Sequence, residues 1–142
     1  MSDPLYKKEL LRLAAAATGS GRLAVPCSTG TAHNPTCGDK IVMDVAVEDG
    51  RILALAHHTF ACVLTQASAA IIGSDAVGMT RDEFERLRGA VVAMLDGGPA
   101  PDAPFDVFEV FDGVADHKAR HTCVLLPIDA VLAALEGCEA GS

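Results

Sequence analysis

The sequence predicts an α+β domain, a small three-stranded antiparallel sheet with helices packed on one face. Three observations lead there. Half of the 142 residues are apolar and 21% are charged, a composition that suits one domain, residues 1–142, with a real core. Apolar residues alternate over 40–47 and are followed by Glu48-Asp49-Gly50, the mark of a strand entering a tight hairpin. Beyond Cys62 the apolar spacing becomes helical, so strands and helices are segregated along the chain.

The elements follow in order. Residues 3–17 read as a helix, capped by Asp3, with Pro4 at its first position and an apolar stripe of Leu5, Leu10, Leu11 and Leu13. Thr18-Gly19-Ser20-Gly21 ends it. Residues 22–27 suit a short strand, placed at an edge by Pro26. Residues 28–39 are rich in Gly, Thr, Asn and Pro and read as a polar loop. In 40–47, Ile41, Met43, Val45 and Val47 share one face; residues 51–60 make the return strand. From Cys62, the positions of Val63, Leu64, Ala67, Ala70 and Ile71 are helical. Thr80-Arg-Asp-Glu83 is a capping box opening a helix whose inner face is Phe84, Leu87, Val91, Met94 and Leu95. After a Pro-rich loop, 105–114 alternates imperfectly and fits no regular element. A helical stretch near 114–122 leads to Cys123, and Pro127 starts a last helix, with Ile128, Val131, Leu132 and Leu135 inward and Gly137 at its end. With no Trp and one Tyr, the core must be largely aliphatic.

Charge and composition narrow the function. A formal net charge of −8 repels phosphate backbones, so neither nucleic-acid binding nor a polybasic membrane anchor is expected. No apolar run approaches the roughly 20 residues a membrane span needs. The first eight residues lack the basic start and apolar stretch of a signal peptide. A cytoplasmic protein is the expectation. The five cysteines, Cys27, Cys37, Cys62, Cys123 and Cys138, are odd in number, and in a reducing compartment a disulfide framework is not expected.

Three of the cysteines stand in informative surroundings. In Asn34-Pro35-Thr36-Cys37-Gly38-Asp39, Pro35 stiffens the loop and Gly38 lets the backbone turn beside the thiol, so Cys37 and Asp39 can reach one ion. A Pro/Gly turn with an incidental cysteine fits equally well. In Phe60-Ala61-Cys62-Val63-Leu64-Thr65-Gln66-Ala67-Ser68-Ala69, Cys62 lies where a strand gives way to a helix, a place that favours a thiolate; a packed core cysteine is the plainer reading. In Arg120-His121-Thr122-Cys123-Val124-Leu125-Leu126-Pro127, Cys123 precedes a predicted helix, and Arg120, one helical turn away, would lower its pKa. Here too a core cysteine with a solvated Arg120 is the alternative.

Taken together, these segments resemble one family. Asn-Pro-Thr-Cys-Gly-Asp, a strand hairpin, Phe-x-Cys followed by Ala-Ser-Ala, and then Arg-x-x-Cys-x-Leu-Leu-Pro are similar to the IscU/NifU/SufU iron–sulfur cluster assembly proteins. The resemblance covers most of the chain. It implies a SufE/NifU-like α+β fold in which three loops bring Cys37, Cys62 and Cys123 together beside Asp39. It implies that these four residues bind zinc or iron and a transient iron–sulfur cluster, take sulfur from a cysteine desulfurase and serve recipient apoproteins. Thiolates suit zinc and iron–sulfur clusters, and three of them with one carboxylate make a four-coordinate zinc site. Thr122 stands where the IscU branch has a histidine, and a Leu-Pro-Pro-Val-Lys-type stretch before the third cysteine is replaced by Asp116-His-Lys-Ala-Arg120. The long interval from Cys62 to Cys123 resembles the SufU branch, whose insertion would hold the helix near 81–95 and the loop after it. That branch leaves two roles open, a cluster scaffold and a zinc-dependent sulfurtransferase. In the second, Cys123 accepts sulfur with Arg120 supporting its anion; a structural zinc module without sulfur chemistry is a third reading.

The remaining candidates are set aside. Cys27 reads as a packing residue and Cys138 as an exposed, incidental one. His57 and His58 are adjacent in a strand and face opposite sides. His33 lies in the loop of Cys37 and Asp39, where it could support those ligands, and His117 and His121 have the i, i+4 spacing that can bind a metal, with a solvated helix face the plainer reading.

Overall fold

The computed structural model describes residues 8–24, 28–34, 38–114 and 116–140. Asp3, Pro4 and Leu5, expected to open the first helix, lie outside these. Helix α1, Lys8–Ala16, buries Leu10 and Ala14 and packs on the second helix. It stops where Ala17 takes a positive φ of 48°.

Strands β1 (Ser28–Asn34), β2 (Asp39–Glu48) and β3 (Arg51–Phe60) form the antiparallel sheet in that order. The hairpin between β2 and β3 turns on Asp49 and Gly50, with φ of 54° and 76°. Two positive φ values suit the right-handed strand twist, and glycine takes one without strain. Ile41, Met43 and Val45 are fully buried, as the alternation predicts.

The first strand differs from expectation. It is 28–34, read above as loop, whereas residues 22–24 are irregular and 25–27 lie outside the described residues. β1 is polar because it is an edge strand, bonded to β2 alone, and strand propensity yields to such context. Its inward residue, Gly30, lies against the backbone of the last helix: a Cβ there would stand 2.5 Å from the Ala130 carbonyl and the Ala134 nitrogen. On the opposite face Asp44 is fully buried. It accepts from Arg22 Nε at 2.6 Å, Thr29 Oγ1 at 2.6 Å and the Leu23 N–H at 3.1 Å. The Arg22 hydrogen bond does most to hold its carboxyl below the usual range, and the cluster straps residues 22–24 across the sheet.

Helix α2, Val63–Asp75, is buried on nearly every side. Helix α3, Arg81–Leu95, starts at the predicted cap, where Thr80 accepts from the Glu83 N–H, and buries the predicted face. Arg88 ties it to Asp129 on the last helix at 2.6 Å. Residues Phe105–Val114 form a 3-10 helix. Its buried Phe105, Phe108, Phe111 and Val114 recur every third residue, the period of a three-residue turn. The three phenylalanine rings follow one another at tilted angles, with centroids 6.3 and 5.8 Å apart.

The predicted break before Pro127 is absent. Helix α4 runs unbroken from Lys118 to Ala140 with Pro127 inside it. It lies across β1 and β2 and against α2 and α3. By length and composition, 118–138 is long and apolar enough to cross a membrane, unlike the expectation above. Here it is a core helix, with Cys123, Val124, Ile128, Ala130, Val131 and Ala134 fully buried. The expectation for Cys138 is also overturned: it is buried and disulfide-bonded, whereas Cys62 and Cys123 are free thiols.

Candidate metal centre

Three segments far apart in sequence deliver three side chains to one place. Asp39 opens β2, Cys62 is the N-cap of α2, and Cys123 lies in the second turn of α4. One ligand atom from each lies within 4.8 Å of the others. Asp39 and Cys123 are buried and Cys62 is half-buried, so of the three Cys62 is the most open to solvent.

Asp39 does two things. Its Oδ1 accepts the Cys62 N–H at 3.1 Å, one of the donors a helix start leaves without an intrahelical partner. Its Oδ2 accepts from the Thr65 hydroxyl at 3.3 Å. The carboxylate thus caps α2 from another element and fixes Cys62 relative to β2.

Thr65 is a fully buried residue that the sequence reading missed. Its Oγ1 also lies 2.9 Å from the Cys123 carbonyl and 3.6 Å from Cys62 Sγ. Proline has no N–H, so Pro127 leaves the Cys123 carbonyl, four residues back, without its helical donor. Thr65 supplies one. A turn later on α2, Ser68 Oγ donates to the Val124 carbonyl at 2.6 Å. The Leu-Leu-Pro segment therefore leaves the Cys123 carbonyl without a helical donor where α2 presents the Thr65 hydroxyl. A proline four residues after a buried cysteine was the available sign.

The two thiols titrate as a pair. The Cys123 S–H, donated toward Cys62, does most to favour the Cys62 thiolate; Thr65 helps, burial opposes, and the pKa falls to about 6. Cys123 moves the other way, pushed up by its bond to Cys62, by burial and by Asp39. The expectation that Arg120 lowers the Cys123 pKa is reversed, because Cys123 sits inside α4 rather than before it and faces an anion. Of the two thiols, Cys62 is therefore the first to ionise.

The donor set fits a soft divalent metal. A tetrahedral zinc with Zn–S near ~2.3 Å and Zn–O near ~2.1 Å would set such atoms roughly 3.6–3.8 Å apart, inside the 4.8 Å limit that encloses the three ligand atoms. Bound there, a divalent metal would hold both sulfurs as thiolates. With this geometry in place, comparison with known proteins is decisive. A family model described as NifU-like N terminal domain matches residues 5–124.

The chain belongs to the NifU-like N-terminal domain family.

This NifU-like domain is similar in structure to a nitrogen-fixing NifU-like protein (N-terminal) from Brucella abortus. Identity is 35%, the TM-score is 0.93, and 99% of this chain and 98% of that one are covered. A SufU of the SUF system from Fervidobacterium islandicum AW-1 shares the fold at 19% identity and a TM-score of 0.85, over 95% and 99% of the two chains. The iron–sulfur cluster assembly scaffold protein IscU 1 of Archaeoglobus fulgidus is 32% identical over 80 residues, 56% of this chain and 52% of the relative. The NifU-like domain thus spans about half the length of that relative.

Of the residues singled out from the sequence, Asp39, Cys62 and Cys123 are brought together. Cys37 and Cys27 lie outside the described residues. Arg120 is half-buried one turn before Cys123. The histidines have other duties. Buried His57 bonds the Thr18 carbonyl and Thr59 Oγ1, each at 2.9 Å, and His58 stacks on exposed Phe60 at 4.3 Å. His121 Nε2 bonds the Val114 carbonyl at 3.1 Å, and His33 is exposed on β1.

Proposed function

We propose that this domain is an iron–sulfur cluster assembly scaffold. It accepts sulfur from a cysteine desulfurase, assembles iron with sulfide on Cys37, Asp39, Cys62 and Cys123, with an external reductant supplying the two electrons that take each persulfide sulfur to sulfide, and passes the product to recipient apoproteins. The observation that carries the reading is the meeting of Asp39, Cys62 and Cys123, from three separate elements, within 4.8 Å. Family membership and the scaffold names of its relatives support it.

The chemistry follows from the pair. A thiolate attacks the outer sulfur of a persulfide on the desulfurase; a new S–S bond forms, the old one breaks, and its electron pair leaves on the desulfurase cysteine. In the metal-free pair Cys62 holds the negative charge and is the first nucleophile. Cys123, the acceptor suggested by the sequence, becomes one after losing its proton, with Arg120 the cation one turn away. Asp39 is the hard ligand among soft ones and the easiest to displace, which gives incoming sulfur or a departing cluster its open position.

The test is anaerobic incubation with ferrous iron, cysteine, a cysteine desulfurase and a thiol reductant such as dithiothreitol, which takes persulfide sulfur to sulfide, followed by desalting. The reading predicts visible absorption that travels with the protein and is lost in Cys62→Ala and in Cys123→Ala. Tight zinc with faster desulfurase turnover and no cluster would replace it by the zinc-dependent sulfurtransferase. Zinc with no effect on sulfur release would leave a structural zinc module.

A further inference from the structure

We propose that Thr65 is a positioning residue of this site, whose single hydroxyl proton, shared between the Cys123 carbonyl and the Asp39 carboxylate, sets how firmly Asp39 is held as a ligand. The inference rests on the metal-site reading above. It begins with a count of donors and acceptors. Thr65 is wholly buried, so no solvent competes for its hydroxyl. Within reach of Oγ1 are the Cys123 carbonyl at 2.9 Å, Asp39 Oδ2 at 3.3 Å and Cys62 Sγ at 3.6 Å. The hydroxyl has one proton to give.

Two arrangements follow. With the proton on the Cys123 carbonyl, the acceptor exposed by Pro127 is satisfied and, among the described residues, Asp39 keeps the Cys62 N–H at 3.1 Å. With the proton on Asp39, the carboxylate is pinned by donors on both oxygens and its direction is fixed. Hydrogen bonds of this kind orient a ligating carboxylate and tune its hold on a metal. The hydroxyl thus couples the position of Asp39 on β2 to the backbone of Cys123 on α4, two of the three segments that build the site. Ser68 supplies an internal control. It makes the same kind of bond from α2 to α4, at 2.6 Å to the Val124 carbonyl, and bonds to none of Asp39, Cys62 and Cys123.

The experiment is zinc affinity of the full chain by competition with a chromophoric chelator, with melting temperature measured in parallel. Thr65→Val is expected to weaken zinc by roughly 10–100-fold, the usual loss when an outer partner of a ligand is removed. Thr65→Ser, which restores the hydroxyl, recovers most of it. Ser68→Ala lowers the melting temperature and leaves affinity near wild type. In an Asp39→Ala background, Thr65→Val adds no further loss. Thr65→Ala is measured alongside, so that poor folding of the valine variant does not decide the matter. The proposal is overturned if the Thr65 variants bind zinc like wild type, if Ser68→Ala weakens zinc as much, or if the Thr65→Val loss persists without Asp39. Failure of the wild-type chain to bind zinc or ferrous iron would instead overturn the metal-site reading itself.

Discussion

Alkylation of the metal-free protein is expected to strike Cys62 well ahead of Cys123, with a rate that rises through a midpoint near pH 6. The reason is the hydrogen bond between the two thiols. Cys62 stands at the N-terminus of α2, half-exposed, and the Cys123 S–H donated toward it brings its pKa to about 6. An ordinary thiol ionises near ~8.5, so at pH 7 such a cysteine is a few per cent anion, whereas Cys62 is mostly anion. Cys123 is buried with its proton held more tightly, and both effects slow its reaction. Peptide mapping after brief treatment with iodoacetamide over a pH series gives both rates. In Cys123→Ala the donor is gone, and the Cys62 midpoint should climb toward the ordinary value. A Cys62 midpoint near pH 8.5 in the wild type would show that Cys123 does not donate to Cys62.

Gly30→Ala should be among the most damaging single methyl groups that can be added to the described residues. The new Cβ would meet the Ala130 carbonyl and the Ala134 nitrogen at 2.5 Å. Both are helix backbone, which cannot swing aside as a side chain does. Relief requires α4 to lift from β1, and α4 carries Cys123. Overpacking on this scale costs about 3 kcal/mol, or about 10 °C of melting temperature in a domain of this size. Gly89→Ala makes the contrast. Gly89 lies inside α3, and a methyl added there would find nothing within 4 Å, so the same change should stabilise by up to ~1 kcal/mol through helix propensity alone. Thermal melts of the two variants check both signs. A Gly30→Ala protein that melts with wild type would mean that α4 does not lie so close to the edge strand.

The same two places show what could be read from the sequence and what could not. The β2–β3 hairpin was legible because its period of two and its Asp-Gly turn are local signals. The capping box at Thr80 and the inner face from Phe84 to Leu95 were legible for the same reason. β1 was hidden because Ser28 to Asn34 has the composition of a loop; what makes it a strand is β2 beside it and α4 above Gly30, both distant in sequence. Pro127 reads as a helix start, yet α4 passes through it, and the Thr65 hydroxyl on α2 satisfies the Cys123 carbonyl that the proline leaves without a donor. The 3-10 helix did carry a sign, a period of three in Phe105, Phe108 and Phe111, that a search for periods of two and of 3.6 passes over. At the site, the motifs pointed to Cys37, Asp39, Cys62 and Cys123; Asp39, Cys62 and Cys123 lie together, and Cys37 is outside the described residues. They said nothing of Thr65, since a threonine gains its role only through partners on other elements. They also suggested the wrong direction for the Cys123 thiol, because Arg120 is near in sequence whereas the Cys62 sulfur is near in space.

The most direct test is zinc X-ray absorption on the loaded wild-type chain and on three single variants, Cys62→Ala, Cys123→Ala and Asp39→Ala. A common centre predicts a sulfur-dominated shell near ~2.3 Å with a lighter neighbour near ~2.1 Å. One sulfur should vanish with each cysteine, and the oxygen should change with Asp39. A shell that stays the same in both cysteine variants would place the metal elsewhere and contradict the account.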